Sequence, residues 1–312
     1  MKVIRASVAG FCMGVRRAVT AAEAELAAAV SAGSSRRGVY SLGPLIHNPG
    51  TLERLGKAGL EILDEENPQG DLSGAAVIIR AHGVSPSVED SLVRRGARLR
   101  DATCPRVKAG QMKARSLAAG GRVLFLAGQA RHAEIAGIRG YAPSCLVVGN
   151  VPEAEAAAGK LYRDRPSART ALMGQTTMTP EEYKVIGEEI RKFFPGLEII
   201  DTICGAVRER QDALRSLASQ VDAVVVAGGG DSANTRGLLA AALSLGKPAW
   251  LVEKAADLPP EIFTYERVGL AAGASTPEGA LDEIERALLY PPQGSAAGRS
   301  AGDRVRHAGH AG

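Results

Sequence analysis

Three cysteines in this 312-residue chain are each followed by the same short pattern. Cys12, Cys104 and Cys204 each begin the motif Cys-x-x-Val-basic, and an alanine-rich stretch that favours a helix follows each motif. A thiol at the start of a helix faces unpaired backbone N–H groups and the positive end of the helix dipole, which favour the thiolate. Thiolates are ligands of iron–sulfur clusters and of zinc. The three cysteines are therefore candidate metal ligands.

Of these two kinds of metal site, the cysteine pattern favours an iron–sulfur cluster. A structural zinc ion usually takes four protein ligands in close sequence pairs, and no Cys-x-x-Cys occurs in this sequence. A four-iron cluster held by three thiolates leaves one iron without a protein ligand, and such an iron can act as a Lewis acid toward a substrate oxygen. The fourth cysteine, Cys145, lies outside the repeated pattern in a strand-like segment, so we interpret it as an inert core thiol.

Polar side chains suited to binding an anion follow several apolar, strand-like segments. Imidazole, hydroxyl and amide groups bind a polyanion, most simply a phosphate or a diphosphate. The candidates are His47, His82, His132, Thr176, Ser232, Asn234 and Ser275. Glu134 is the carboxylate in these loops that lies beside a histidine, and it is the candidate proton donor. The glycine-rich residues 228–230 lack the spacing of a nucleotide-binding loop, which favours a tight strand-to-helix turn.

The elements that must position these groups recur three times along the chain. After each cysteine come a helix, an apolar strand with a polar loop, and a second strand with a second loop. The predicted helices cover about residues 14–30, 106–119 and 206–219. The matching residues of the second loops are His82, Thr176 and Ser275, which lie 70, 72 and 71 residues after their cysteines. Repetition of this kind predicts three equivalent structural units.

The repeat predicts an α/β fold of three small parallel-sheet units in a pseudo-threefold (trefoil) arrangement around a central iron–sulfur cluster. Continuous apolar strands joined by helical crossovers indicate buried parallel sheets, and ligands bind beyond the carboxyl ends of such strands. The first two units end in a short strand, whereas the third lacks one, so we expect the N-terminal strand to complete it. The expected units are residues 13–103, 104–203 and 204–289, with residues 1–12 completing the third and 290–312 forming a disordered tail.

Composition disfavours several classes of partner. The chain is 45% hydrophobic and 23% charged, and its formal net charge of +4 is too small to indicate binding to nucleic acid. Aromatic residues make up only 4%, which disfavours stacking on single strands. No apolar run is long enough for a membrane span and the N-terminus lacks a signal-peptide pattern, so we expect a cytoplasmic protein with reduced thiols. A ring closed within one chain requires no partner subunit, so we expect a monomer.

Nine short segments of the sequence resemble the LytB family, the 4-hydroxy-3-methylbut-2-enyl diphosphate reductases. They are GFCMGVRRA at 10–18, GPLIHN at 43–48, AHGVS at 81–85, DATCP at 101–105, HAE at 132–134, QTT at 175–177, DTIC at 201–204, SAN at 232–234 and GASTPE at 273–278. The segments stand in the family's order and the match extends to about residue 289. Together these motifs are far more specific than any one of them alone.

The resemblance implies a cofactor and a reaction. The cofactor is an oxygen-sensitive [4Fe–4S] cluster on Cys12, Cys104 and Cys204, with one open iron that takes the substrate hydroxyl. The reaction is a reductive dehydroxylation, the last step of the non-mevalonate isoprenoid pathway. Two electrons and two protons remove the allylic hydroxyl of the diphosphate substrate and yield isopentenyl diphosphate, dimethylallyl diphosphate and water. Reduced ferredoxin or flavodoxin would deliver the electrons singly.

The resemblance also implies a role for each polar residue. Glu134 would supply the proton that lets the hydroxyl leave as water, and Thr176 would orient the hydroxyl and Glu134. The residues expected to hold the diphosphate are His47, His82, His132, Ser232, Asn234 and Ser275. The sequence departs from the family pattern at Ala233, where a second serine is usual, at Ala133, where proline is common, and at Val207, where threonine is common.

Two alternative functions stay open at this point. A non-redox iron–sulfur hydro-lyase acting on a phosphorylated or acidic small molecule would also use three cysteines and an open iron, but it needs no electron donor. A non-catalytic cluster protein, such as a redox sensor or a scaffold, would leave the histidines and Glu134 without a task.

Overall fold

The computed structural model describes residues 1–31, 38–65 and 71–291, so most of the predicted disordered tail 290–312 lies outside the described residues. The strands are β1 (Lys2–Arg5), β2 (Val39–Leu42), β3 (Leu60–Leu63), β4 (Ala76–Ile79), β5 (Arg98–Asp101), β6 (Val123–Ala127), β7 (Leu146–Val148), β8 (Thr170–Gly174), β9 (Glu198–Ile199), β10 (Ala223–Ala227), β11 (Ala249–Val252) and β12 (Arg267–Ala272). The helices are α1 (Met13–Ser31), α2 (Pro49–Lys57), α3 (Pro86–Arg94), α4 (Pro105–Ala119), α5 (Ala133–Tyr141), α6 (Val151–Asp164), α7 (Pro180–Phe193), α8 (Gly205–Ala218), α9 (Ala233–Ser244) and α10 (Glu278–Leu289). Within these ranges, no helix combines the length and the apolar character needed to cross a membrane.

The described strands form three parallel sheets of four strands each. The strand orders are β3-β2-β4-β5, β7-β6-β8-β9 and β11-β10-β12-β1. The order is the same in all three sheets, and β1 occupies the place in the third sheet that β5 and β9 occupy in the others. The predicted α/β fold with three parallel-sheet units in a trefoil arrangement is confirmed, while the exact bounds of the units stay a prediction.

The central strands are buried on both faces because their sequences are apolar without interruption. In β10, Val225 packs into one hydrophobic cluster, and its neighbours Val224 and Val226 pack into the cluster on the opposite face. Phe125 in β6 likewise lies in one cluster while Leu124 and Leu126 lie in another. Each central strand therefore anchors two apolar layers, and shortening one of its large side chains to alanine costs roughly 2–5 kcal/mol.

One strand of each sheet lies outside the predicted repeat, although the segment around Cys145 that forms β7 was predicted to be strand-like. The strands β3, β7 and β11 lie at the sheet edges, and each is reached through a helix inserted between the two predicted strands. These edge strands give a weak sequence signal: β7 has only three residues, and in β3 Leu60 is buried whereas Glu61 is exposed. A short, half-exposed strand lacks the continuous apolar run by which the central strands are recognised.

Helix starts follow the carboxyl ends of the strands and are capped by local side chains. The Asn48 side chain accepts the Thr51 N–H at 2.9 Å, and the side chains of Ser85 and Thr179 cap α3 and α7 in the same way. Pro86 and Pro180 occupy the first helical position, where proline needs no hydrogen-bond partner for its nitrogen. These caps hold the loops that face the centre of the trefoil.

Candidate active site

The three repeated cysteines stand at equivalent helix starts. Cys104 and Cys204 are the N-cap residues of α4 and α8, and Cys12 directly precedes α1. The carbonyl oxygen of each cysteine accepts the backbone N–H four residues later, at 2.9, 2.9 and 3.2 Å for Cys12, Cys104 and Cys204 respectively. Neither Cys104 nor Cys204 uses its side chain to cap its own helix. Their thiols therefore stay available to an external ligand in the field of the helix N-terminus.

A second hydrogen bond ties each cysteine to a loop that follows a central strand. The N–H groups of Cys12, Cys104 and Cys204 donate to the carbonyl oxygens of Ala274, Ala81 and Thr176, at 3.0, 2.9 and 2.9 Å. Thr176 is therefore the counterpart of Ala81 and Ala274, and the counterpart of His82 and Ser275 is Thr177. The sequence alignment of the loops paired Thr176 with His82, and this pairing is wrong by one residue. The reason is that the spacing from cysteine to loop differs slightly among the three repeats.

All the predicted site residues line one cavity at the centre of the trefoil. Its volume is about 770 Å³ when the open mouth is included. The predicted residues that line it are Cys12, Cys104, Cys204, His47, His82, His132, Glu134, Thr176, Ser232, Asn234 and Ser275. Thr177 and Ala233 also line it. The structure thus brings together every residue that the sequence nominated.

The three thiols lie close enough to influence one another. Burial raises the pKa of the Cys104 thiol, and the charges of Cys204 and Cys12 raise it further, while backbone N–H groups at the start of α4 oppose the shift. Gly14 of α1 packs so closely on this thiol that a Cβ at Gly14 would lie 3.0 Å from the Cys104 Sγ. Three converging thiolates repel one another, so a bound cation would relieve the repulsion.

Cys145 lies apart from the other three cysteines. It does not line the central cavity, and it packs with Val147 and Ile200 against the hydrophobic core of the second sheet. Burial raises the pKa of its thiol. A half-buried thiol in apolar surroundings is unreactive, which agrees with its interpretation as a core residue.

Three imidazoles form a cluster on another side of the cavity. The ring centroids of His82 lie 5.2 Å from those of His47 and His132, and the latter two rings are 6.2 Å apart. Burial lowers the pKa of all three, and the positive charge of Arg80 lowers each one further. The pKa of His132 falls to about 4. The cluster is therefore uncharged at neutral pH when no anion is bound.

The hydrogen bonding of His132 indicates which kind of ligand this cluster takes. One nitrogen of each imidazole lies within 4.8 Å of the others, a spacing that would allow a metal ion. However, Nδ1 of His132 accepts the Glu134 N–H at 3.2 Å, so in the neutral ring Nε2 carries the proton. Nδ1 of His82 and Nδ2 of Asn234 are buried without a partner among the described residues. A ring N–H and a free amide NH₂ beside the cavity favour an anion over a metal ion.

Glu134 is buried and held by one neighbour. It is 1% exposed, its Oε1 accepts the Thr176 N–H at 2.8 Å, and its Oε2 lies 2.9 Å from the Thr176 hydroxyl. Burial raises the pKa of Glu134 to about 7, although the two bonds from Thr176 act in the opposite direction. Because Oε1 faces an N–H donor, the proton of the neutral form sits on Oε2. Glu134 therefore carries a transferable proton near neutral pH.

The third sheet contributes uncharged groups to the cavity. The Ser232 side chain caps α9 by accepting the Thr235 N–H at 3.3 Å, so its own hydroxyl proton stays free. The Ser275 hydroxyl donates to the His47 carbonyl oxygen at 3.0 Å and holds the first sheet's loop against the third. A Cβ at Gly229 would lie 2.7 Å from this same carbonyl oxygen, so only glycine allows the close approach. The glycine-rich stretch is thus a packing turn, as predicted.

Arg80 lies behind the site and acts on all three histidines through its charge, and it was not among the residues predicted from the sequence. It directly follows β4, is 3% exposed and forms an ion pair with Glu65. Its guanidinium fits beside Gly43, where a Cβ would lie 2.5 Å from Nη1. The available signal was a basic residue at the end of the apolar run AVII, directly before the AHGVS segment. A buried charge there adds positive potential to the cavity.

Comparison with known proteins finds one family throughout. The sequence profile of the family described as "LytB protein" matches residues 3–289. The 4-hydroxy-3-methylbut-2-enyl diphosphate reductase of Treponema denticola is 43% identical over 297 residues, which cover 93% of this chain and 99% of that protein. The solved structure of the E-1-hydroxy-2-methyl-but-2-enyl-4-diphosphate reductase from Plasmodium falciparum superposes with a TM-score of 0.82 at 26% identity, over 93% of this chain and 89% of that one. A structure described as (E)-4-hydroxy-3-methyl-but-2-enyl diphosphate reductase, the terminal enzyme of the non-mevalonate pathway, has a TM-score of 0.65 at 35% identity, over 93% and 99% of the two chains.

Proposed function

The chain belongs to the LytB protein family, and from that membership we infer that it is a 4-hydroxy-3-methylbut-2-enyl diphosphate reductase. The enzyme replaces the allylic hydroxyl of its substrate with hydrogen, consuming two electrons and two protons and releasing water. The observation that carries this conclusion is the single cavity that joins three helix-start thiols, three neutral imidazoles and one protonatable carboxyl.

The three thiols fit a [4Fe–4S] cluster with three protein ligands. Cys12, Cys104 and Cys204 would hold it, since all three line the cavity and their mutual repulsion calls for a cationic partner. When bound, the cluster supplies single electrons and one iron without a protein ligand that acts as a Lewis acid. No other side chain at this end of the described cavity is a thiol, so a fourth protein thiolate does not complete the set.

The imidazole cluster holds the substrate's diphosphate. Nε2–H of His132 and the amide of Asn234 donate hydrogen bonds to its oxygens, and the free hydroxyl proton of Ser232 adds a further donor. A bound polyanion raises the pKa of nearby imidazoles, which start below their ordinary value. Binding therefore draws protons onto the histidines and strengthens their hold on the diphosphate. The positive charge of Arg80 supports the anion from behind the cluster.

Glu134 delivers a proton to the departing hydroxyl. Its pKa of about 7 keeps the carboxyl protonated in a large fraction of molecules at neutral pH. Thr176 contacts Oε1 through its N–H and Oε2 through its hydroxyl, so it fixes the direction in which the carboxyl faces the cavity. Because the Thr176 hydroxyl can both donate and accept, it can relay the proton from Oε2 to the substrate oxygen.

The electrons come one at a time from reduced ferredoxin or flavodoxin. Basic side chains follow each helix-start cysteine, and Arg16 and Arg106 are exposed near the N-termini of α1 and α4. Such charges attract acidic protein carriers at low ionic strength. Four unpaired cysteines suit a reducing compartment such as the cytoplasm, and the closed ring of sheets in one chain suits a monomer.

The deciding experiment is an anaerobic assay of the purified protein with 4-hydroxy-3-methylbut-2-enyl diphosphate and a one-electron donor. We expect isopentenyl and dimethylallyl diphosphates to form only when the donor is present. Protein with an intact cluster that forms neither product would overturn the assignment. Loss of water from the substrate without any donor would instead identify a hydro-lyase.

A further inference from the structure

Arg210 is a buried arginine near the thiols that the proposed reaction does not use. It lies on α8, six residues after Cys204, and is 4% exposed. Its Nη2 donates to the Gly10 carbonyl oxygen at 2.7 Å and its Nη1 donates to the Ala206 carbonyl oxygen at 3.0 Å. Arg210 therefore bridges the segment before Cys12 and the first turn of the Cys204 helix.

The charge of Arg210 has no carboxylate partner among the described residues. Its Nε is buried without a hydrogen-bond acceptor, and it forms none of the ion pairs found in the described ranges. Glu209 precedes it in sequence but is exposed. A buried guanidinium without an anion is strongly unfavourable, so this one requires an anionic neighbour.

Two of the three helix-start thiols lie near Arg210, whose guanidinium is bonded to the carbonyl oxygens of Gly10, two residues before Cys12, and Ala206, two residues after Cys204. Burial lowers the pKa of Arg210, whereas Cys12, Cys204 and the exposed Glu209 act to raise it, in that order. Cys104 is not among the groups that act on this arginine. The guanidinium thus lies on the side of the thiol set formed by Cys12 and Cys204.

The other two cysteine helices show that a helix of this kind can form without a charged residue at the position of Arg210. The positions six residues after Cys12 and Cys104 are Ala18 and Gly110, which carry no charge. Both of those helices start in the same way as α8, with the same hydrogen bond from each cysteine's N–H to its loop. A helix-start cysteine in this fold therefore does not need an arginine at that position.

We propose that Arg210 is a positioning residue that stabilises the more negative, reduced form of the cluster and thereby raises its reduction potential. The inference rests on the proposed cluster on Cys12, Cys104 and Cys204. Reduction adds one electron, taken from the external one-electron carrier, and no bond to the protein changes. The extra negative charge is attracted by the fixed guanidinium, and in a buried site this attraction is poorly screened. The local charge around a cluster is one of the factors that set its potential.

The test is a redox titration of the cluster-loaded protein followed by electron paramagnetic resonance. Arg210→Gln removes the charge and keeps a polar amide N–H donor on α8. We expect its ratio of reduced to oxidised cluster to fall about tenfold at a given potential, which corresponds to a midpoint about 59 mV lower. Arg210→Lys keeps the charge, so its midpoint should stay nearer to that of the unaltered protein.

A matched control lies on the same helix. Arg215 is exposed and pairs with Glu181 and Asp212, so Arg215→Gln should leave the midpoint unchanged because solvent screens its charge. An unchanged midpoint in Arg210→Gln overturns the proposal, as does a lysine variant whose midpoint falls as far as that of the glutamine variant.

Loss of the cluster from a variant is also informative. If Arg210→Gln cannot hold a cluster, the lysine variant decides the question. An Arg210→Lys protein that holds the cluster at the original midpoint supports the need for charge. An Arg210→Lys protein that also lacks the cluster overturns the proposal. Turnover by the unaltered protein tests the proposed function separately from this inference. If the unaltered protein turns over substrate and the Arg210→Gln variant keeps the original midpoint, only the inference about Arg210 is contradicted.

Discussion

The three thiols of the cavity are arranged symmetrically, whereas the polar groups of the same cavity are not. Each of the helices α1, α4 and α8 begins at one cysteine, which is bound to a loop by an equivalent backbone hydrogen bond. The polar groups show no such symmetry. The first unit supplies two imidazoles, the second supplies one imidazole with Glu134 and Thr176, and the third supplies hydroxyl and amide groups without a charge.

Under the proposed function, the difference reflects what each set would bind. A cluster with three protein ligands would need three like thiols, so a threefold body could hold it with one repeated motif. A diphosphate that carries an allylic alcohol has two unlike ends. An asymmetric set of side chains would be needed to bind the anionic end at the histidines and place the hydroxyl near Glu134, as proposed. The repeat would therefore account for the proposed cofactor site, and departures from the repeat for the proposed substrate site.

The largest effect should come from breaking the symmetric set. Replacing Cys12, Cys104 or Cys204 by serine removes one thiolate ligand, so each variant should lose its cluster and all measurable turnover. The measurement is iron and sulfide content together with the visible absorption of the anaerobically purified protein. Cys145→Ser is the matched control and should keep its cluster. Loss of the cluster in the control would show that the repeat assigns the wrong thiols.

The next largest effect should come from Glu134 in the asymmetric set. Glu134→Gln keeps the size of the side chain and removes its transferable proton, so turnover should fall about 10²- to 10⁴-fold while the cluster stays intact. The measurement is the steady-state rate beside the cluster's absorption spectrum. Glu155→Gln, an exposed substitution on α6, serves as the control. A rate that matches the unaltered protein would remove Glu134 from the mechanism.

The histidines should affect binding more than turnover. His132→Asn keeps an N-cap acceptor for α5 but removes the Nε2–H donor. A lost hydrogen bond to a charged group costs about 1.5–3 kcal/mol, so KM should rise roughly ten- to a hundredfold with a smaller change in kcat. The alcohol that lacks the diphosphate is the control ligand, and its weak binding should not differ between the two proteins. An unchanged KM would contradict the assigned diphosphate site.

The pH dependence should reveal the same carboxyl. Burial raises the folded-state pKa of Glu134 to about 7, above its ordinary value, so the protonated form dominates below pH 7 and declines about tenfold per pH unit above it. We expect kcat/KM to fall along this limb as pH rises. The free energy of unfolding should also fall as pH rises, because the stabilising contribution of protonated Glu134 is lost as pH rises through about 7. In Glu134→Gln, neither kcat/KM nor the free energy of unfolding should show this pH-dependent fall near pH 7. A fall that persists in the variant must come from another group.

The smallest effect should come from restoring a group that the family usually has. Ala233 lines the cavity at the start of α9, and Ala233→Ser would add one hydroxyl beside Ser232. One additional hydrogen bond is worth about 0.5–1.5 kcal/mol, so KM should fall about two- to tenfold. Ala240→Ser, exposed on the same helix, is the control. An equal change in both variants would show an effect on the helix and not on the substrate.

Much of the fold was predictable because its signals are local. The runs AVII, VLFLA and AVVVA mark strands buried on both faces, and the three helices that follow the cysteines begin within one residue of the predicted starts. The edge strands were not part of the predicted repeat, because they are short and only partly buried, and of the three only β7 was marked by a strand-like segment around Cys145. The residues predicted for the candidate site all line one cavity, and their roles stay a prediction.

The sequence by itself determined the three equivalent thiols, the central strands and the identity of the residues at the cavity. These features depend on residue type and spacing, which hold wherever the segment lies. Only the tertiary structure decided that Thr177, and not Thr176, is the counterpart of His82, because backbone hydrogen bonds between distant segments set that register. It also decided the protonation of Glu134 and His132 and the burial of Arg80 and Arg210 close to the site. The reason is physical: burial and charge act through space, so they depend on neighbours that the chain brings together only by folding.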